Sequence, residues 1–199
     1  MTTVKYVKQM NRAFDNENGY QISSRDINNM KQRNSATTYG EVTEQGLNDM
    51  LKGIRKKDKV FADLGSGTGR SVICAALNFN FSRCIGVEMS RDRFRMSQRI
   101  LKDMKGGSKT VQNKLQKVRF INSDARDIDI SDMDVIFISN LCFNDQLNTD
   151  ICRKIESEKQ GRLDVFCSAE LPTTVGRIKR KFNVEMSWMN DSEIYHYTF

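Results

Sequence analysis

Apolar runs of strand length recur along the chain, and between them apolar residues return every three or four positions. The runs lie at 60–62, 84–87, 118–121, 135–138 and 163–167, and two late strands are predicted at 182–188 and 193–198. Helical spacing marks 44–54, 70–77, 91–104 and 145–158. Such alternation predicts an α/β, Rossmann-like domain with a mostly parallel seven-stranded sheet, helices on both faces and an antiparallel pair at one edge.

The first 38 residues do not share this pattern. They are polar and rich in Asn, with only weak periodicity, and we expect one or two short helices in an N-terminal helical arm over the core. The main domain is therefore predicted to span 39–199. A chain of 199 residues is long enough for one domain with a real core and too short for two comfortable ones.

Composition excludes several function classes. The five cysteines lack C-x-x-C spacing and His196 is the single histidine, which disfavours zinc sites and histidine-dependent triads, so no metal is expected. No apolar run approaches the roughly 20 residues of a membrane span, and residues 1–5 lack the apolar core of a secretion signal. We expect an intracellular protein, off the membrane and monomeric.

Positive charge is concentrated in one segment. The net charge is +7, and segment 91–119 carries ten basic and two acidic residues, 10 − 2 = +8. A local basic face predicts a polyanionic partner such as nucleic acid or chromatin. A solvated helix followed by a loop explains the segment equally well.

A glycine-rich turn follows the first strand of the main domain. Segment 63–69 reads DLGSGTG, and Gly65 and Gly67 let the backbone turn sharply and approach a ligand. A dinucleotide site needs free N–H groups for its pyrophosphate, which the carboxylate of Asp63 would repel. Asp63 favours a cationic group, such as the ammonium of S-adenosylmethionine. A generic glycine-rich turn is the other interpretation.

Two more acids follow the next two strands. Glu88 lies about 20 residues past the glycines, where a carboxylate accepts hydrogen bonds from ribose hydroxyls. Asp124 follows the third strand and is placed to accept from the adenine amino group. Ligands of open α/β sheets bind at the carboxyl ends of the strands, so the three acids predict one shared cleft.

Five segments resemble the Dot-one (disruptor of telomeric silencing) family of non-SET histone lysine methyltransferases. They cover about four-fifths of the chain, from Tyr39 onward. Segment 39–41 resembles the Y-G-E loop of the family, 63–67 its D-L-G-S-G motif and 86–88 its G-V-E. Segment 139–143 is similar to N-N-F-A-F, and Ser187-Trp188 followed by Tyr195 is similar to a late S-W…Y element.

The resemblance implies a class I methyltransferase fold and a nuclear enzyme that transfers a methyl group from S-adenosyl-L-methionine to a histone lysine on the nucleosome. It implies catalytic roles for Asn140, Phe143 and Tyr195, with Asn140 orienting the amine or the methyl group and the aromatics, with Trp188, walling the lysine channel. The implied cofactor-binding residues are Tyr39, Glu41, Thr43, Asp63, Gly65, Gly67, Arg70, Glu88, Asp124, Ala125 and Asn140.

The chain departs from the family at four positions. Ser139 replaces an Asn, Leu141 an aromatic and Arg70 a Gln, and Ala125 stands where an aromatic usually covers the adenine. These changes concern the substrate more than the cofactor. The long N-terminal region and basic tail of large eukaryotic members are missing, so the chain resembles a minimal catalytic core of the sort a compact viral genome would encode, acting then in the host nucleus.

Three alternatives remain at this stage. A nucleic-acid amino-methyltransferase would share the fold and use the basic segment, but its usual [D/N]-P-P-[Y/F] motif is replaced by Asn140-Leu141-Cys142-Phe143. A lysine methyltransferase for a non-histone protein is the second. A cofactor-binding protein without catalysis is the third.

Overall fold

Helices and strands alternate through residues 6–199, the part of the chain that this computed structural model describes; the first five residues of the predicted arm lie outside it. The helices are α1 (Val7–Phe14), α2 (Ser24–Gln32), α3 (Glu44–Met50), α4 (Arg70–Asn78), α5 (Arg91–Lys105), α6 (Lys109–Leu115) and α7 (Asp145–Glu158). The strands are β1 (Val60–Leu64), β2 (Arg83–Glu88), β3 (Val118–Asn122), β4 (Val135–Ile138), β5 (Asp164–Cys167), β6 (Arg177–Met186) and β7 (Met189–Thr198).

All seven strands form one sheet in the order β3-β2-β1-β4-β5-β7-β6. The first five pair in parallel, and β7 runs antiparallel to both of its neighbours, β5 and β6. The predicted α/β architecture, with a mostly parallel sheet and an antiparallel element at one edge, is confirmed. Successive strands are added on one side of β1 up to β3 and on its other side from β4 onward, so the carboxyl ends of β1 and β4 border a crevice, which is where such sheets bind ligands.

Both faces of the sheet are buried, which explains the near-continuous apolar runs of the strands. Phe61, Phe137 and Phe166 pack on one face against a core that includes α1, α3, α4, α5 and α6. Side chains that alternate with them, such as Ala62 and Val165, pack on the other face against α7. A strand buried on both faces excludes water from its whole length. Burying a polar side chain at the end of such a strand therefore costs free energy of desolvation.

Side-chain caps fix where several helices begin. Ser90 accepts a hydrogen bond from the amide of Arg93 at 3.2 Å and so starts α5, and Asn144 does the same for α7 from Leu147 at 2.9 Å. Ser108 caps α6, a helix that the sequence analysis missed because the glycines before it were interpreted as the start of a loop.

Boundaries differ from the predicted ones at the edge of the sheet. Helix α3 ends at Met50 rather than at 54, and β6 and β7 begin five and four residues earlier than predicted. Exposed positions along β6 lack the apolar alternation that would have revealed its length. No helix within residues 6–199 is long and apolar enough to cross a membrane.

Candidate active site

A cavity of about 310 Å³ opens at the carboxyl ends of four parallel strands. It is lined by residues that follow β1, β2, β3 and β4, by the start of α7 and by part of the N-terminal arm: Met30, Ser35, Ala36, Thr38, Tyr39, Gly40, Leu64, Gly65, Gly67, Val87, Glu88, Met89, Arg93, Ser123, Asp124, Ala125, Ser139, Leu141, Cys142, Phe143, Leu147, Ile151 and Trp188. Its volume lies at the lower end of the ~300–1,000 Å³ range of small-molecule sites.

A second, much smaller cavity of about 10 Å³ shares three lining residues with the first, Gly40, Gly65 and Ser139. Asp63, Glu41 and Arg70 also line it, together with Val42, Ser66, Ser71 and Phe137. Because the cavities have walls in common, the charged groups of the small one lie next to one end of the large one.

Asp63 is the most constrained acid of the site. Its side chain is 3% exposed, Oδ2 accepts a hydrogen bond from the Ser71 hydroxyl, and Oδ1 has no partner. Burial, against the effect of the Ser71 hydrogen bond and together with the nearby carboxylates of Glu88 and Glu41, raises the pKa of Asp63 to about 7. A cation with N–H donors beside Oδ1 would relieve this unpaired buried charge.

Glu88 ends β2 and holds the glycine turn. Its Oε2 accepts from the amide of Gly67 and its Oε1 from the amide of Ser90, both at 2.8 Å. Burial raises the pKa of Glu88, against the charge of Arg93 and those two amides. Each carboxylate oxygen keeps a second acceptor position, which is what a pair of ribose hydroxyls would need.

Asp124 lines the cavity but has no free acceptor. Oδ1 accepts from the backbone amide and Nε of Arg126, at 2.9 and 3.0 Å, and Oδ2 from Nη2 of Arg126 at 2.7 Å and Nε of Arg33 at 3.2 Å. Burial opposes ionisation, yet these arginines lower the pKa of Asp124. Since Arg33 belongs to the arm, Asp124 fixes the arm to the core here. An adenine amino group would have to displace an arginine, and its recognition by Asp124 stays a prediction.

Tyr39, Glu41 and Arg70 form one hydrogen-bonded cluster. The Tyr39 hydroxyl bonds to Glu41 and lies 2.8 Å from Oγ1 of Thr68, while Nε of Arg70 donates to Glu41 at 2.8 Å. Arg70 also forms an ion pair with Glu44 at 2.8 Å. The cluster ties the 39–41 loop to the start of α4 and leaves the ring of Tyr39 as a wall of the cavity.

Aromatic rings form another part of the cavity wall. Phe143 and Trp188 line it with Tyr39, and Trp188 is 39% exposed, as expected for a residue at the mouth. A Cβ on Gly40 would clash with the indole of Trp188, and one on Gly67 would lie 2.6 Å from the Tyr39 ring. Both glycines are needed for this close packing.

Asn140 does not reach either cavity. Its Nδ2 donates to Oδ1 of Asn148 at 2.8 Å and to the carbonyl of Ala169 at 3.2 Å, and its Oδ1 accepts from the amide of Ala169 at 2.8 Å. Asn140 thus links the loop after β4 to the loop after β5. Ser139, one residue earlier, is the side chain that lines both cavities. The catalytic role predicted for Asn140 stays a prediction.

Two other predicted site residues also lie outside both cavities. Thr43 caps α3 by accepting from the amide of Gly46 at 3.0 Å, and its hydroxyl donates to the carboxylate of Glu185 at 2.9 Å. Tyr195 lies on β7 opposite Cys167, with the ammonium of Lys181 4.5 Å from its ring centroid. The remaining predicted residues line one cavity or both: Tyr39, Glu41, Asp63, Gly65, Gly67, Arg70, Glu88, Asp124, Ala125 and Phe143.

Arg93 is a site residue that sequence reasoning assigned to the basic face. It is buried, donates to the carbonyls of Gly19 and Thr37 at 2.9 and 2.8 Å, and lies 4.8 Å from the centroid of Tyr39. It therefore holds the arm over the cavity. Its position among exposed cations gave no signal of this role, and neither did the polar sequence of the arm.

The site offers buried acceptor oxygens to a cation and to hydroxyl groups, and aromatic rings line the same cavity. Within residues 6–199, no group of three or more His, Cys, Asp or Glu side chains is arranged to hold a metal ion.

Solved structures with a similar fold include an RNA methyltransferase from Salinibacter ruber in complex with S-adenosyl-L-homocysteine. The two chains are 21% identical, with a TM-score of 0.59 over 76% of this chain and 88% of that one. At this identity the likeness concerns the fold, which is the class I methyltransferase fold that the motifs implied.

Among curated relatives, "Histone-lysine N-methyltransferase, H3 lysine-79 specific" from Drosophila melanogaster is 26% identical over 166 residues, 80% of this chain and 9% of the relative. The protein with the same name from Candida glabrata is 28% identical over 130 residues, 62% of this chain and 20% of the relative. The chain thus spans only about a tenth and a fifth of the lengths of these two relatives.

A family model covers nearly the whole chain. The model described as "Histone methylation protein DOT1" matches residues 20–194, so it includes the second helix of the arm as well as the domain from Tyr39 onward. The resemblance stated from the motifs is confirmed at the level of the family. The chain belongs to the family described as histone methylation protein DOT1.

Proposed function

We propose that this protein is an S-adenosylmethionine-dependent protein lysine N-methyltransferase that acts on a core-histone lysine at the nucleosome surface. The observation that carries the proposal is a pair of adjoining cavities lined by buried carboxylates and by aromatic rings. Asp63 lines the small cavity, and Glu88 lines the large one together with the rings of Tyr39, Phe143 and Trp188. Membership of the DOT1 family and the names of the curated relatives support the histone as substrate.

The buried carboxylates fit the cofactor. Asp63 has an unpartnered buried oxygen that an amino acid ammonium would satisfy, and Glu88 keeps acceptor positions for ribose hydroxyls. Arg70 faces the same small cavity, but Glu41 and Glu44 already neutralise its charge. We assign Asp63 and Glu88 to the cofactor and treat Arg70 and Glu41 as the support of the loop around it.

The aromatic rings fit a lysine side chain. Bound S-adenosylmethionine supplies an electrophilic methyl group, so the protein has to deliver a neutral amine in line with it. Neutralising a lysine of pKa about 10.4 at pH 7 costs roughly 4–5 kcal/mol. Burial between Tyr39, Phe143 and Trp188 disfavours the ammonium and lowers this cost. Ser139 lines both cavities, and we assign the orientation of the amine to its hydroxyl.

A chromatin substrate implies a nuclear location, which would be the host nucleus if the gene is viral. We propose that the protein acts there as a monomer.

Segment 91–119 is proposed to contact nucleic acid. Not all of its ten cations are available for this: Arg93 is buried, Lys117 donates to the carbonyls of Phe79 and Phe81, and Arg99 pairs with Glu17. Arg91, Arg95, Lys102, Lys105, Lys109 and Arg119 remain exposed.

Transfer of a labelled methyl group tests the proposal. We expect label on a core histone when intact nucleosomes are the substrate, and none with Glu88→Gln, which weakens cofactor binding. Equal labelling of free histones would remove the nucleosome surface from the proposal. Labelling of RNA alone, or of a non-histone protein alone, would replace it with one of the alternative functions.

Asp63→Asn should raise the stability of the free protein and lower its affinity for the ligand. With a pKa of about 7 in the fold and 3.8 for an Asp side chain in water, the Asp63 contribution to stability is full below about pH 4 and lost as pH rises to 7. The neutral amide should therefore stabilise the free protein at pH 8 by about 4 kcal/mol, from about three pKa units. Affinity for S-adenosylhomocysteine should fall by roughly 10- to 100-fold. Urea unfolding and calorimetry measure the two effects.

The matched control is Asp103→Asn, since Asp103 is exposed on α5. It should change neither quantity. If Asp63→Asn destabilised the free protein, or left the affinity intact, the role of Asp63 as the partner of a ligand cation would be wrong.

Ser139→Ala and Asn140→Ala should act differently. Removing the Asn140 amide takes away the partner of the Ala169 backbone amide and the donor to Oδ1 of Asn148, so we expect a loss of about 1–3 kcal/mol in the free energy of unfolding. Ser139→Ala should leave stability within about 0.5 kcal/mol and lower kcat more than cofactor affinity. A stable Asn140→Ala protein with lower kcat would instead return the catalytic role to Asn140.

Charge removal tests segment 91–119. The variant with Lys102, Lys105 and Lys109 changed to Gln should bind nucleosomes with a weaker salt dependence, because each lost phosphate contact lowers the slope of log K against log salt by about 0.9. An unchanged slope would mean that these lysines form a solvated face.

A further inference from the structure

Two basic segments that are far apart in the sequence meet beside the outermost strand of the sheet. Arg180 on β6 donates through Nη2 to the carbonyls of Met50 at 2.9 Å and Lys52 at 3.2 Å. These bonds hold the end of α3, and the turn that follows it, against β6. Charges from 52–59 and from 177–181 therefore lie on one side of the molecule.

Most of these charges are exposed and uncompensated. Five exposed cations define what we call the β6-edge basic surface: Lys52, Arg55, Lys57, Arg177 and Lys179. Among the residues that the structure describes, none of the five has a carboxylate within ion-pair distance, whereas neighbouring Lys59 pairs with Asp134 at 2.6 Å. Asp58 is the single acid of the two segments.

This surface lies at the opposite end of the sheet from the cavity. Segment 52–59 directly precedes β1, and Arg177 pairs with Thr198, which pairs in turn with Asp164 at the start of β5. Both places are at the amino ends of the parallel strands, and the cavity is at their carboxyl ends. A five-residue strand spans about 17 Å. A ligand on the β6-edge basic surface would leave the cavity open.

Protection of a sheet edge does not account for the surface. Charged side chains on an edge strand prevent pairing with other chains, which is a sufficient reason for Arg177 and Lys179. It gives no reason for Lys52, Arg55 and Lys57, which lie in a turn. Like charges gathered on one face repel each other, and an anionic partner removes that repulsion.

We propose that the β6-edge basic surface binds the phosphate backbone of duplex nucleic acid and tethers the protein to it. None of the five cations lines either cavity. Within residues 6–199, the surface therefore has no such pocket to hold one acidic side chain of a protein partner. Exposed cations spread over a turn and a strand suit sequence-independent attraction to a row of phosphates. The proposal goes beyond the proposed function, because it requires neither the cofactor nor a histone.

The test is the affinity of the full chain for a labelled 30-base-pair DNA duplex, measured by fluorescence anisotropy over a salt series. The variant K52Q/R55Q/K57Q/K179Q should bind on the order of tenfold more weakly, and its slope of log K against log salt should be smaller by about 3 to 4. The control R12Q/R25Q/K31Q/R153Q removes the same charge from exposed positions on α1, α2 and α7 and should stay within about twofold of the parent.

Equal losses of duplex affinity in the two variants would mean that the duplex is attracted by net charge alone. An unchanged affinity in the first variant would mean that the β6-edge basic surface does not bind the duplex. Either result overturns the proposal. Thermal unfolding of both variants should match the parent, since all eight positions are exposed. Saturating duplex should also leave the affinity for S-adenosylhomocysteine unchanged. Competition between the two ligands would place the duplex at the cavity and contradict the tether.

Discussion

The burial of one unpaired carboxylate oxygen, Oδ1 of Asp63, is the constraint on which the account of the site depends. β1 lies between β2 and β4 in the interior of the sheet, and Asp63 near its end is almost fully buried. An ionised carboxylate in such a place is costly unless something offsets its charge. Residues 6–199 supply one side-chain hydrogen bond to it, from Ser71, and no ion pair. The fold thus holds a charge whose natural partner is a ligand.

The arm turns a crevice into a cavity. Met30, Ser35 and Thr38 contribute walls, and polar contacts rather than apolar packing keep this part of the arm in place. Arg93 reaches from α5 to the arm carbonyls, and Arg33 reaches from the arm to Asp124. The division into an arm and a domain therefore describes the sequence better than it describes the site, which uses both.

The sequence predicted the fold and the acids that line the two cavities because both follow from local rules. Buried strands, the glycine turn and acids at strand ends each have a signature in the chain. The roles of Asn140, Asp124 and Arg93 had none, because each depends on the particular partner that the tertiary fold brings to it. Asn140 was predicted from its match to a motif, and in the structure its side-chain amide forms hydrogen bonds with Ala169 and Asn148. The β6-edge basic surface was missed for the same reason, since its two segments are more than a hundred residues apart.

Proton release on binding tests the central claim most directly. Calorimetric titration of S-adenosylhomocysteine in buffers of different ionisation enthalpy gives the number of protons exchanged. If Asp63 has a pKa of about 7 in the free protein and becomes a carboxylate paired with the ligand ammonium, binding should release close to one proton at pH 6 and about a tenth of one at pH 8. Binding without proton release at pH 6, or no binding at all, would contradict the account.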